Sequence, residues 1–136
     1  REELVELIGQ LRLSDSVQLV GYQQDVVPWY QAADVFVLPS HHEGLSNSLL
    51  EALSCGLPVV STRVSGSTDI FDVADVGELV NVGDMAAFAK ALRGLLTNPE
   101  RRKLCGTRAR QYAVEKCSIR AVAKATVAFY QTLGSV

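Results

Sequence analysis

The stretch Val35-Phe36-Val37-Leu38-Pro39-Ser40-His41-His42-Glu43-Gly44-Leu45-Ser46-Asn47-Ser48-Leu49-Leu50-Glu51-Ala52-Leu53-Ser54-Cys55-Gly56-Leu57-Pro58-Val59-Val60-Ser61 decides the fold class. Its first four residues are apolar and end at Pro39, which reads as a short strand covered on both faces. A polar loop follows. A helix then opens near Ser46 or Asn47, with Leu49, Leu50 and Leu53 as its apolar stripe. Gly56 followed by Pro58 stops that helix, and the Val-rich run Pro58–Ser61 reads as the next strand.

Outward from this unit the same rhythm continues. Val17–Val20 and Glu78–Val80 read as further strands, with helical stretches at 28–33 and 67–72. The order β-α-β-α-β-α-β predicts a Rossmann-like, doubly wound parallel α/β sheet. Beyond it the pattern is helical. Asp84 can cap a helix carrying Phe88, Leu92 and Leu95. Thr97-Asn98-Pro99-Glu100 breaks it and starts a second, and Ser118 can cap a third. No repeat, low-complexity tract or linker interrupts the chain, so residues 1–136 read as one domain. The first residues already look like a helix (Leu4, Val5, Leu7, Ile8, Leu11) and carry neither an initiating Met nor a signal pattern, which suggests a piece of a longer protein.

Composition is ordinary for a globular domain: 136 residues, 48% hydrophobic, 21% charged, formal net charge −2. No apolar run reaches the roughly 18 residues of a membrane span. Cys55, Cys105 and Cys117 fit neither a disulfide framework nor a CxxC metal site, and read as reduced thiols of a cytosolic protein. Charge is uneven. Residues 101–124 hold eight bases against Glu115 alone, whereas residues 1–100 hold fourteen acids and five bases. Either two helices share a solvated basic face, or this surface meets anionic lipid or a charged acceptor. Few aromatics interleave with these charges, so nucleic acid is not expected as a partner.

Ligands of open parallel sheets bind beyond the carboxyl ends of the strands, where the 39–46 loop lies. Gly44 lets backbone approach a ligand, and the amides of Leu45, Ser46, Asn47 and Ser48 lack partners inside the helix they open. Phosphate suits that place. Glu43 beside a phosphate makes sense if it accepts hydrogen bonds from hydroxyls. Glu51 follows Asn47 by one turn on the same helix face and could hold two vicinal ribose hydroxyls. The plainer reading is a strand–helix turn with its cap and two solvated glutamates. Val64–Asp69 is either a second phosphate-facing loop or a turn. His41-His42 has no metal-ligand spacing, and Ser46 and Ser48 lack a hydrolase nucleophile frame.

Taken in order, these residues resemble the donor-binding half of the GT-B glycosyltransferases, specifically retaining family 4. The resemblance runs through Val17-x-Leu19-x-Gly21, Asp25-x4-Tyr30-x2-Ala33-Asp34, Val35–Ser40, Glu43-Gly44-x6-Glu51-Ala52-x3-Gly56-x-Pro58-Val59-Val60, Gly66 and Gly77–Val80. It implies a C-terminal GT-B domain, truncated on its N-terminal side, that binds a nucleotide-sugar. Glu43 would touch donor-sugar hydroxyls as the catalytic-site carboxylate. Backbone at Gly44, Leu45, Ser46 and Asn47 would hold the diphosphate and Glu51 the ribose. Gly21 and Tyr22 would lie near the base, and Gly66 would serve the second loop, where Ser65 replaces the usual first glycine and Asp69 the common glutamate. The reaction would be retaining and independent of metal or other cofactor. A glycan or lipid-linked acceptor would bind through an N-terminal domain not in this chain, which alone should be inactive. The setting would be the cytoplasm, with peripheral attachment to the inner face of the membrane. Two further readings remain open: an epimerase of similar architecture, and a non-catalytic nucleotide-binding module.

Overall fold

Three of the four expected strands pair. In the computed structural model, which describes residues 1–133, the elements are α1 (Glu2–Gln10), α2 (Val27–Ala32), β1 (Phe36–Leu38), α3 (Asn47–Ser54), β2 (Val59–Thr62), α4 (Ser65–Phe71), β3 (Gly77–Val80), α5 (Met85–Thr97), α6 (Pro99–Tyr112), a π-helical turn (Ala113–Cys117) and α7 (Ile119–Leu133). The sheet is parallel in the order β1-β2-β3, with Phe36 beside Val59 and Val59 beside Gly77.

Central strand β2 is buried along its whole length. Alternation sends its valines to opposite faces. Val59 joins Leu49, Leu53, Ile70, Val76 and Ala109, so α3, α4 and α6 cover one face. Val60 joins Val80 and Leu95, so α5 covers the other. Each valine, leucine or isoleucine among them, fully removed from water, contributes roughly 1.5–3 kcal/mol. This is the doubly wound arrangement that the sequence predicts.

Caps close the helices where expected. Asp84 Oδ1 accepts from the Ala87 amide at 2.9 Å, Asn98 Oδ1 from Arg101 at 3.0 Å and Ser118 Oγ from Ala121 at 3.2 Å. The exception among the strands is Val17–Val20, which forms no ladder. Its alternating pattern suits a strand, but a strand also needs a partner, and none of the described residues offers one. Val17 and Val20 are accordingly 40% and 37% exposed.

The basic segment is only partly a solvated face. Arg101 binds Asp75 through two parallel hydrogen bonds, 2.7 and 2.6 Å, and reaches Glu78 at 3.3 Å. Arg108 also donates to Asp75, tying α6 to the loop before β3. Arg102 donates to the carbonyls of Leu95 and Leu96, and Arg110 to that of Ser54. Lys103, Lys116, Arg120 and Lys124 remain exposed.

The hydrogen bonds from Arg101, with the charges of both arginines, hold the Asp75 carboxyl below the usual range. A lowered carboxylate pKa adds stability that is present above about pH 4 and is lost as pH falls through the folded value. Asp75→Asn is therefore expected to cost about 1 kcal/mol at neutral pH, since half-exposed pairs are screened. Chemical unfolding across pH checks this: the gap from wild type should narrow below about pH 4, and a pH-independent gap would refute the ion-pair account.

Candidate functional site

Two loops meet where β1 and β2 end. Thr62, the last residue of β2, donates its hydroxyl to the Ser40 carbonyl at 2.6 Å and lies 3.2 Å from that of Leu38. Beside it the Ser61 and Ser67 hydroxyls share a hydrogen bond of 2.8 Å, joining β2 to the buried side of α4. The closest approach is backbone on backbone. Gly66, in the first turn of α4, packs against Gly44 and Leu45 so tightly that a Cβ would lie 2.2 Å from the Gly44 carbonyl oxygen. Only glycine fits there.

The loops border an open cleft of about 550 Å³ lined by His41, His42, Glu43, Gly44, Arg63 and Ser65. Glu43 is half-buried, and the Ser40 hydroxyl donates to its Oε2 at 2.9 Å. Arg63 is the one arginine or lysine lining this cleft. At its edge Ser46 is the N-cap of α3, buried, with its hydroxyl bonded to that of Ser48 at 2.8 Å. Helix α3 thus begins where the sequence predicts, with the positive end of its dipole at this loop.

Glu51 lines a second cleft of about 360 Å³ together with Asn47, Tyr30, Leu50, Cys55 and Cys117. Asn47 and Glu51 share the helix face that the sequence assigned them. The Tyr30 hydroxyl donates to Glu51 Oε2 at 2.9 Å. Burial, then the hydrogen bond to and charge of Glu51, push the Tyr30 phenol up to about 12.

The structure therefore gathers Glu43 and Gly44 into one cleft and Asn47 and Glu51 into the other, with Leu45 and Ser46 between them. Gly66 lies behind the Gly44 loop rather than lining either cleft. Gly21 has a left-handed φ of 68°, which favours glycine, and Tyr22 is 91% exposed; neither lines these clefts. Sequence reasoning assigned no role to Tyr30, Ser40, Thr62 or Arg63. Tyr30 and Ser40 did stand inside the quoted motifs, and Thr62 and Arg63 directly follow a strand, where ligands bind.

The family model for glycosyl transferases group 1 matches residues 1–112. The chain belongs to that family. The lipopolysaccharide core biosynthesis glycosyltransferase LpsE of Rhizobium meliloti is 35% identical over 135 residues, which are 99% of this chain and 39% of LpsE. Sucrose-phosphate synthase of Thermosynechococcus elongatus superposes with a TM-score of 0.84 at 29% identity, over 98% of this chain and 34% of that one. HepE of Anabaena, solved in complex with UDP, shares the fold at TM-score 0.85 and 22% identity, over 99% of this chain and 36% of HepE. The group 1 domain described here thus spans between a third and two fifths of such proteins, and its fold is the Rossmann-like GT-B half expected from the sequence.

For this group 1 domain, Gly66→Ala should force the Gly44–Leu45 backbone to move. Overpacking of this kind costs roughly 1–3 kcal/mol. Denaturant unfolding measures the loss. Unchanged stability would show that the two loops can separate freely, against the close contact described.

Proposed function

We propose that this domain holds the nucleotide-sugar donor in a retaining transfer of a sugar to a polysaccharide or lipid-linked glycan acceptor. The observation that carries the reading is the order of chemical groups along one α3 terminus. A hydroxyl-held carboxylate (Glu43) comes first, then the amides of the opening turn, then a second carboxylate (Glu51) one turn further. Sugar, diphosphate and ribose occur in that same order along a nucleotide-sugar.

In this proposal the diphosphate rests on the amides from Gly44 to Ser48, where the helix dipole is favourable. Arg63 supplies positive charge from the facing loop. Together they stabilise the leaving diphosphate without a metal ion. Glu43 accepts hydrogen bonds from the sugar hydroxyls, which offset its repulsion by the neighbouring phosphates. Glu51 accepts from the ribose diol. The acceptor reading draws on relatives such as LpsE, named for lipopolysaccharide core biosynthesis. Titration of the full-length protein with a nucleoside diphosphate, followed by steady-state rates, tests the assignment. Glu51→Ala removes charge-assisted hydrogen bonds worth roughly 1.5–3 kcal/mol, so nucleoside diphosphate affinity should fall about tenfold or more. Glu43→Ala should spare that affinity and lower turnover. Equal, unchanged affinities and rates in both variants would defeat the donor-site assignment.

We also propose peripheral attachment of the whole protein to the cytoplasmic face of an anionic membrane. What supports it is narrower than the sequence count, because four of the eight bases hold internal contacts. Lys103, Lys116, Arg120 and Lys124 remain, beside an α7 that exposes Ile119, Val122, Phe129 and Tyr130. Each base near such a surface adds about 1 kcal/mol, screened by salt. Co-sedimentation in low salt should be stronger with phosphatidylglycerol-containing vesicles than with phosphatidylcholine alone; equal binding would leave these residues a solvated face.

A further inference from the structure

Glu51 stands on the exposed side of α3, where a glutamate side chain ordinarily turns among many rotamers. Here one of its oxygens is fixed. The Tyr30 hydroxyl donates to Oε2 at 2.9 Å across 21 residues of sequence. The phenol is itself well anchored. Tyr30 is half-buried in α2, which packs beside α3, and its ring meets Phe36 of β1 edge-on with centroids 5.9 Å apart. Phe36 in turn packs against the main core. The carboxylate is thus tied to the sheet through a rigid aromatic post rather than through its own flexible stem.

We propose that Tyr30 is a positioning residue for Glu51, holding its carboxylate in the orientation that accepts both hydroxyls of a nucleotide ribose. The proposal rests on the reading of Glu51 as the ribose ligand. An ionised carboxylate has about four acceptor positions. Tyr30 occupies one, and the others remain for a vicinal diol in the cleft that Asn47 also lines. The phenol stays protonated far above neutral pH, as its raised pKa of about 12 requires, so this donor is never withdrawn under ordinary conditions. Preorganisation of this kind acts on the hydroxyls that the carboxylate receives and on nothing else in the ligand. Loss of the Tyr30 hydroxyl should therefore be felt by ribonucleotides and not by nucleotides that lack the ribose diol.

The test uses the full-length enzyme and calorimetric titration with UDP, GDP and ADP, each beside its 2′,3′-dideoxy counterpart, which lacks both hydroxyls, taking the pair whose ribo form binds tightest. Tyr30→Phe keeps the ring and its contact with Phe36, and a thermal melt checks that the fold is retained. The expected result is an affinity for the ribonucleoside diphosphate lower by about 3–10-fold, less than the loss of a direct hydrogen bond to a charged group because Tyr30 orients Glu51 and does not touch the ligand. Affinity for the dideoxy form should be unchanged, so the ribo-to-dideoxy ratio falls by the same factor. Equal losses for both forms would make Tyr30 a packing residue and overturn the proposal. A wild-type ratio in Tyr30→Phe, alongside a collapsed ratio in Glu51→Gln, would overturn the role of Tyr30 and leave that of Glu51 standing. A ratio unmoved in Glu51→Gln, or no binding of any of the three diphosphates by the wild type, would sink the ribose reading and this proposal with it.

Discussion

A Cβ at position 66 would lie 2.2 Å from the Gly44 carbonyl oxygen and 2.6 Å from Leu45 Cα, so the loop after β1 and the first turn of α4 touch without any side chain between them. The rest of the site depends on that contact. Parallel pairing of β1 with β2 brings the two strand ends together; the Thr62 hydroxyl ties them at the Ser40 carbonyl, and that of Ser61 ties β2 to Ser67 of α4. The Gly66 approach then fixes how far apart the walls of the cleft can stand. Because the contact is backbone on backbone, it leaves little freedom to relax. Loop position here follows from packing density, as in the core itself.

Placing carboxylates next to a phosphate site is electrostatically costly unless each is held away from the phosphates or used for hydroxyls. Both glutamates are held, by different devices. Ser40, three residues before Glu43, holds it from within the same loop. Tyr30 holds Glu51 from a separate helix. The first is a local turn contact; the second links α2, α3 and, through Phe36, the sheet. Positive charge comes from the opening turn of α3 and from Arg63, while the strongly basic α6 lies elsewhere, with Arg101 and Arg108 gathered around Asp75 before β3. The two concentrations of charge therefore do different work: one faces the proposed donor cleft, the other fastens a helix to the sheet.

The strand–helix–strand unit from Val35 to Ser61 was legible because its signals are local: a short apolar run, a proline, a capped helix and a Gly–Pro stop. Local signals also placed Asp84, Asn98 and Ser118 at helix starts. Val17–Val20 misled for the complementary reason, since an alternating run reports the period of a strand and not the presence of a partner. Glu43 and Glu51 were singled out by the family resemblance, since their spacing with Gly44 alone also fits a capped turn with two solvated glutamates. Their hydrogen-bond partners were not all within reach of that reasoning. The Tyr30–Glu51 bond crosses 21 positions, and Arg63 enters the cleft from the neighbouring strand. The inward roles of Arg101 and Arg108 were hidden on similar grounds, because the acids that engage them lie more than twenty residues away.

The central claim is that the terminus of α3, between Glu43 and Glu51, is the seat of the donor. A crystal structure of the full-length protein with a nucleotide-sugar tests it most directly. The account predicts the diphosphate over the Gly44–Asn47 backbone, the sugar hydroxyls on Glu43 and the ribose on Glu51 with its Tyr30 bond intact. A donor bound elsewhere, with this terminus and both glutamates free of ligand, would contradict it.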